Sequence, residues 1–460
     1  MNQGKERFRE KLFSLGRQFW WTWMLVSFGR SGLLLNKPTV THAFELCVTQ
    51  RHFYRSLSES RSVKKFRIFS SPRPITTMST SQQEIKAKLV PVQELESCGL
   101  RLRQGDLVAF PTETVYGLGC NALDPNAIIK VFQAKERPLT DPLISHVIEN
   151  QVAYDLWNAD ASSLEGKALR CLCDQFWPGP LTLVARAAPH VPDILMANTG
   201  FVACRSPQHP ISIALIKAAQ VPIAAPSANK FGHVSPTRAF HVWDDLKYED
   251  VWIVDTNESE TANICSVGVE SSVAKVEMDD EKHGRITLLR QGAVCVADIR
   301  DCLEKAGLTN YFTVQSQTKR ATDETVANVA PGQTIRHYSP DIPSFILSKE
   351  RITQTSELSP EEIHTLSKTV IIDFRGRLRK WKDSCIAYRE LSESGDSIEA
   401  TKSVFETLRW AERVENAEQI IFPEILENEP GKDDALVLAL KDRLTRAASG
   451  IVIDTLQTRH

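Results

Sequence analysis

"DPNAIIKVFQAKERPLTDPLISHV" (residues 124–147) holds two elements of different period joined by a stiff connection. Asp124 is a good helix cap, and Pro125 suits the first helical position. Arg137 precedes Pro138, and a residue before proline is pushed out of the helical region, so the helix is expected to end near Lys135. "PLISHV" then reads as a short buried strand. A helix answered by a strand, repeated along a chain, marks an α/β domain.

The same alternation extends in both directions. "DLVAFPTET" reads as an apolar strand entering a turn, "SSLEGKALRCLCDQFW" as a helix and "PLTLVARA" as a strand. "FVACRS", "ISIALIKAA" and "VPIAAPSAN" give strand, helix and strand. "SPTRAFHVWDDL" reads as a helix with Ser235 and Pro236 as its start signal. "VWIVDT", "SSVAKVEM" and "GRITLLRQG" add strands, and "VADIRDCLEKAG" adds a helix. One α/β domain over about 85–308 is predicted. A polar linker over 309–341 follows, then a smaller α/β domain over 342–456, built from "PSFILS", "TVIIDF", "SIEATKSVFETLRWAERV", "AEQIIFPEI" and "DDALVLALKDRLTRAAS".

The formal net charge of −2 hides an asymmetry. Residues 1–80 carry fourteen Lys/Arg against four Glu, whereas the remainder carries 41 Lys/Arg against 53 Asp/Glu. The leader is Arg- and Ser-rich, poor in acids and without core periodicity, the composition of an organellar transit peptide or a disordered leader. "FWWTWMLVSFGRSGLLL" is a short membrane-anchor alternative, interrupted by Arg30 and two glycines. Met78 is an alternative start just before the folded region. A cytoplasmic protein with a mitochondrial or other organellar form is expected, with no stable membrane partner. The ten cysteines include no C-x-x-C, so free thiols are expected rather than a zinc site. Neither a G-x-x-x-x-G-K nor a G-x-G-x-x-G phosphate loop is present.

Three stretches carry chemistry. Lys135 and Arg137 stand two apart beside Pro138; an extended backbone there would present both cations to one place. A solvated helix end is the plain alternative. Ser227 and Asn229 follow the apolar strand "VPIAA", where open α/β sheets bind ligands, though a simple Asx or Ser turn would look the same. "AFPTETVYGLG" brings Thr112, Glu113, Thr114 and Tyr116 against Gly117 and Gly119, either a close ligand approach or a glycine-rich turn.

Taken in order, "PTETVYGLG", K-E-R at 135–137, "FWPGPLTLV", "VACRSPQHP", S-A-N at 227–229 and "GVESSV" resemble the YrdC family. "APGQTIRHYSP" (330–340) resembles the linker of its longer, two-domain members. The resemblance implies a twisted open α/β sheet around a large concave cavity, with a smaller Rossmann-like C-terminal domain. It also implies a threonylcarbamoyl-AMP synthase: a nucleotidyltransferase joining L-threonine, bicarbonate and ATP into threonylcarbamoyl-adenylate and releasing pyrophosphate. A downstream tRNA threonylcarbamoyl-transferase would then modify the adenosine beside the anticodon of ANN-reading tRNAs. Contact with tRNA itself would be weak at most.

On this resemblance Lys135, Arg137, Ser227 and Asn229 complete the catalytic site. Lys135, Ser227, Asn229, Ser235, Arg290 and Tyr338 would contact ATP. Thr112, Thr114, Tyr116, His146, Arg205 and Ser271 would form the threonine pocket, with Arg205 clamping the carboxylate. Mg2+ is expected with ATP, held by phosphate oxygens and water, with no metal ligand from protein side chains. Arg336, His337 and Tyr338 suggest a lid closing over the cavity. Asp141 stands where many members have Asn, and Ser272 where many have Thr. A catalytically inactive RNA-binding or regulatory module on the same fold is the alternative. The negative body argues against strong unaided RNA binding. A carbamoyl-phosphate-using hydrogenase-maturation domain would need zinc-finger-like cysteines and an acylphosphatase module that this sequence lacks.

Overall fold

A computed structural model describes residues 84–256, 265–317, 327–330, 338–355, 357–425 and 434–456. They all fall in one compact unit, Ser81–His460. The readings of the leader, and of Arg336 and His337, lie outside these residues.

Eleven strands form the larger sheet: β1 Lys88–Pro91, β2 Leu107–Phe110, β3 Gly117–Asn121, β4 Ile144–His146, β5 Leu181–Arg186, β6 Phe201–Arg205, β7 Ile223–Ala224, β8 Val251–Asp255, β9 Ser272–Met278, β10 Gly284–Arg290 and β11 Phe312–Ser316. Their order is β1-β8-β2-β3-β7-β4-β6-β5-β9-β10-β11, with parallel and antiparallel pairs mixed. Its helices are α1 Leu95–Arg103, α2 Pro125–Lys135, α3 Asn150–Leu156, α4 Leu164–Phe176, α5 Pro210–Ala219, α6 Ala239–Leu246 and α7 Val296–Lys305. Ile128, Val131 and Phe132 of α2 pack with Leu169 and Leu172 of α4 on Leu181 and Leu183. On the other side Cys98 and Leu102 of α1 meet Leu215 and Ile216 of α5 over Val108 and Phe110. Each fully buried aliphatic or phenyl side chain contributes about 1.5–3 kcal/mol.

The second sheet is wholly parallel, β14-β13-β15-β12-β16, with β12 Ser344–Leu347, β13 Thr369–Asp373, β14 Ala387–Glu390, β15 Gln419–Pro423 and β16 Val452–Ile453. Its helices are α8 Lys349–Thr353, α9 Pro360–Leu366, α10 Ser397–Ala411 and α11 Ala435–Ala447. The two domains share a core: Val115, Val234 and Val269 pack in one cluster with Tyr338, Phe405, Leu408, Leu440 and Leu444. At Gly268 (φ +76°) a Cβ would fall 2.3 Å from the Thr401 carbonyl of α10, so only glycine admits so close an approach.

Three local expectations change. "VYGLG" contains a central strand rather than a turn. At Gly119 a Cβ would lie 2.8 Å from Phe110 Cε1 and 2.9 Å from Ile223 Cγ2, so glycine lets β2 and β7 close on β3. The helix expected to start at Ser235–Pro236 starts at Ala239, with Arg238 as its N-cap, because the Ser235 hydroxyl bonds to Glu270 instead. Phe312–Ser316, expected as linker, pairs parallel with β10 as the edge strand, so the first sheet runs past residue 308.

Candidate active site

Helix α2 ends at Lys135 as its sequence requires, but the chain does not continue extended. Glu136 is left-handed (φ 55°, ψ 34°), and the Arg137 amide donates back to Phe132 O at 2.9 Å. The two cations therefore diverge. Lys135 is buried; its Nζ donates to Ser227 O at 2.6 Å and also to Asn229 O. Burial, and then the neighbouring Arg137, hold its pKa well below the usual lysine range. Lys135 fastens the S-A-N loop from behind rather than lining the cavity. Arg137 turns inward, with Nε on Asp141 O (3.1 Å) and an Nη on Pro142 O (2.9 Å) and on the Asp141 carboxylate (2.9 Å). The Asp141 that departs from the family pattern is thus the counter-ion of Arg137.

Arg205 ends β6, paired in register with His146 on β4. Its guanidinium donates to Thr114 Oγ1 at 3.0 Å and to Glu113 Oε1 at 2.6 Å. Burial alone would raise the Glu113 pKa, but Arg205 lowers it overall. Thr112 and Thr114 share a hydrogen bond of 2.8 Å, and Thr112 Oγ1 donates to Val115 O at 2.7 Å. Burial, and then Arg205, push the His146 pKa down to about 3, so its imidazole is neutral at physiological pH.

The third guanidinium is Arg290, at the end of β10, which donates to Ser271 O (3.0 Å) and Ser271 Oγ (3.1 Å). Beside it, Glu270 Oε1 accepts from Ser235 Oγ at 2.5 Å and Oε2 accepts from Arg443 Nε of α11 at 2.8 Å. Tyr338 is fully buried at φ 62°, its ring 5.4 Å from that of Phe405.

These groups surround a pocket at the ends of the central strands, open on one side to solvent, with a cavity volume of about 40 Å³. Of the residues singled out from sequence, Thr112, Thr114, Arg137, His146, Arg205, Ser227, Arg290 and Tyr338 line it. Lys135, Asn229, Ser235 and Ser271 stand one layer behind. Asn229 Nδ2 donates to Lys230 O and His233 O at 2.7 and 2.8 Å, and the Ser271 hydroxyl pairs with Thr182 at 2.8 Å. Tyr116, expected in the threonine pocket, is a core residue: its hydroxyl is 3.2 Å from Thr256 Oγ1 and 3.4 Å from Val254 O. Glu270 and Arg443 were missed. Glu270 sits in the "GVESSV" motif, but nothing in "LKDRLTR" announces that Arg443 reaches Glu270, 173 positions away on the cavity wall.

Residues 100–292 match the Sua5/YciO/YrdC family model, described as telomere recombination. Residues 294–449 match the model described as threonylcarbamoyl-AMP synthase, C-terminal domain. A threonylcarbamoyl-AMP synthase of Pyrococcus abyssi is 32% identical over 356 residues, covering 76% of this chain and 93% of its own. One of Schizosaccharomyces pombe is 32% identical over 383 residues, covering 77% and 88%. The crystal structure of P. abyssi Sua5 complexed with L-threonine is similar at a TM-score of 0.63 and 27% identity, over 80% of this chain and 99% of that one.

Proposed function

The chain belongs to the threonylcarbamoyl-AMP synthase family in its two-domain form, and from that premise we propose that L-threonine, bicarbonate and ATP are joined in the arginine-lined cavity. The observation that carries this reading is the convergence of three guanidiniums, Arg137, Arg205 and Arg290, on one pocket, the donor set suited to phosphate and carboxylate groups.

The threonine amine and bicarbonate condense to a carbamate with loss of water. A carbamate oxygen then attacks the α-phosphorus of ATP, the bond to the β-phosphate bridging oxygen breaks, and pyrophosphate leaves. Charge builds on the phosphoryl oxygens, so catalysis rests on positioning and on preorganised donors. Arg137 and Arg290 would face that charge, with Ser227 on the same pocket wall. Arg205 presents a planar fork to the threonine carboxylate, with Thr112 and Thr114 beside it. Neutral His146 accepts or donates a hydrogen bond there without adding charge. Lys135 and Asn229 act by holding the Ser227 loop in place.

Mg2+ fits this site only as a partner of ATP. Glu113 is engaged by Arg205, and Glu270 by Ser235 and Arg443, so phosphate oxygens and water would hold the ion. Its contribution would be to neutralise polyphosphate charge. The product would pass to a tRNA threonylcarbamoyl-transferase. Incubation with ATP, threonine and labelled bicarbonate should place label in an adenylate, with one pyrophosphate per turnover. An unlabelled nucleotide pool would refute the reading.

For location, we propose a cytoplasmic enzyme with a mitochondrial form directed by residues 1–80, whose charge opposes that of the body. A fluorescent fusion of residues 1–80 should enter mitochondria, and a chain begun at Met78 should keep full activity. A fusion that stays in the cytosol would overturn the targeting role.

A further inference from the structure

We propose that Arg443, supplied by the C-terminal domain, is a positioning residue for the catalytic cavity, cancelling the charge of Glu270 so that this wall admits a polyphosphate. The inference rests on the reading above that ATP occupies the cavity.

A carboxylate on the wall of an anion site is a liability. Glu270 lines the cavity, and its side chain is 7% exposed. Of the groups around it, Ser235 contributes a neutral hydroxyl to Oε1. Arg290, although near, directs its hydrogen bonds to the backbone and hydroxyl of Ser271. The cation on the carboxylate is Arg443: Nε meets Oε2 at 2.8 Å, and an Nη reaches the Glu270 carbonyl at 3.4 Å. The Arg443 side chain is 0% exposed, so this pair is shielded from water and screened little by salt.

The same guanidinium reaches a second part of the wall. It lies 5.1 Å from the centre of the Tyr338 ring, close enough for a cation–π contact. Its remaining Nη meets Asp442 at 2.8 Å. Burial alone would lower the Arg443 pKa, but Tyr338, Glu270 and Asp442 raise it overall, which keeps the charge in place. One planar fork from α11 therefore fixes a carboxylate and an aromatic ring that both face the ligand space. A lysine, with a single ammonium, would not span these partners.

The test uses the full chain and steady-state adenylate formation, with ATP and threonine titrated separately. Wild type must first form the adenylate; if it does not, the functional reading fails before this inference is reached. Arg443→Gln should raise the ATP KM on the order of 10- to 100-fold, because a buried unpaired carboxylate then faces the phosphates. The threonine KM should move less than about threefold on this charge argument. Arg443→Lys should recover only part of the loss. Adding Glu270→Gln to Arg443→Gln removes the stranded charge and should return the ATP KM to within about threefold of wild type. Equal changes in both KM values, or a double variant as impaired as Arg443→Gln, would overturn the proposal. If Arg443→Gln does not fold, a soluble double variant with a near-normal ATP KM supports it, and an insoluble double variant refutes it.

Discussion

Arginine is used in two opposite ways, in the cavity and in the seam between the domains. In the seam, four cations among the described residues meet carboxylates: Arg409 with Asp245 (3.0 Å), Arg238 with Glu406 (2.5 Å), Arg413 with Asp244, and His233 with Asp245 and Glu412 (3.0 and 3.1 Å). These four cations, counting a protonated His233, face four carboxylates, so their charges are matched locally. In the cavity three guanidiniums line the wall beside one carboxylate, while Asp141 and Glu113, the partners of Arg137 and Arg205, sit outside the lining. Arg290 leans on uncharged groups of Ser271. An arginine alone therefore says little about function; the side on which its carboxylate lies says much more.

The largest effect is expected at Arg137. Removing one preorganised donor from a transition state costs about 10²–10³ in rate. Arg137→Ala alone would also leave Asp141 buried without its cation, at about 3–5 kcal/mol of stability. The informative variant is Arg137→Ala with Asp141→Asn. Adenylate formation should fall on the order of 10²–10³-fold while thermal melting stays near that of wild type. Near-normal turnover in a well-folded double variant would remove Arg137 from the site.

Arg205 comes next. Arg205→Lys keeps a cation for Glu113 but loses the planar fork, so the threonine KM should rise on the order of 10- to 100-fold with the ATP KM little changed. A matching rise in both would mean that Arg205 serves the cavity as a whole.

Local sequence revealed what local physics controls. Asp124 caps α2 through Asn126 N, and Pro125 starts it. Most strands of both sheets appear where apolar runs end in turn residues. The errors arise where distant partners decide. Lys135 and Arg137 look like neighbours, yet a left-handed Glu136 sends them to different places. Ser235 looks like a helix start until Glu270, 35 positions on, takes its hydroxyl. Tyr116 sits in a ligand-like motif, but Thr256, 140 positions away, claims its phenol. Arg443 has no local signature at all. A buried ion pair is a property of two segments, and one sequence shows each segment without the other.

The smallest effect belongs to the seam and is a matter of pH. His233 lies between Asp245 on α6 and Glu412 just past α10, with Arg409 opposing from α10. Burial and Arg409 lower its pKa, but the two carboxylates outweigh them and raise it to about 9 from 6.5. A folded-state pKa above the unfolded value adds stability that is complete below pH 6.5 and is lost as pH rises through about 9. The upper bound is about 3 kcal/mol, at about 1.4 kcal/mol per pKa unit. Solvent at the edge of the seam, where the His233 side chain is 16% exposed, reduces it further. Denaturant unfolding at pH 6, 7.5 and 9 should show a decline in wild type that His233→Gln lacks, with threonine binding unaffected in both. A loss confined to the seam should separate the two uses of charge. An identical pH slope in wild type and His233→Gln would show that the seam is held without this proton.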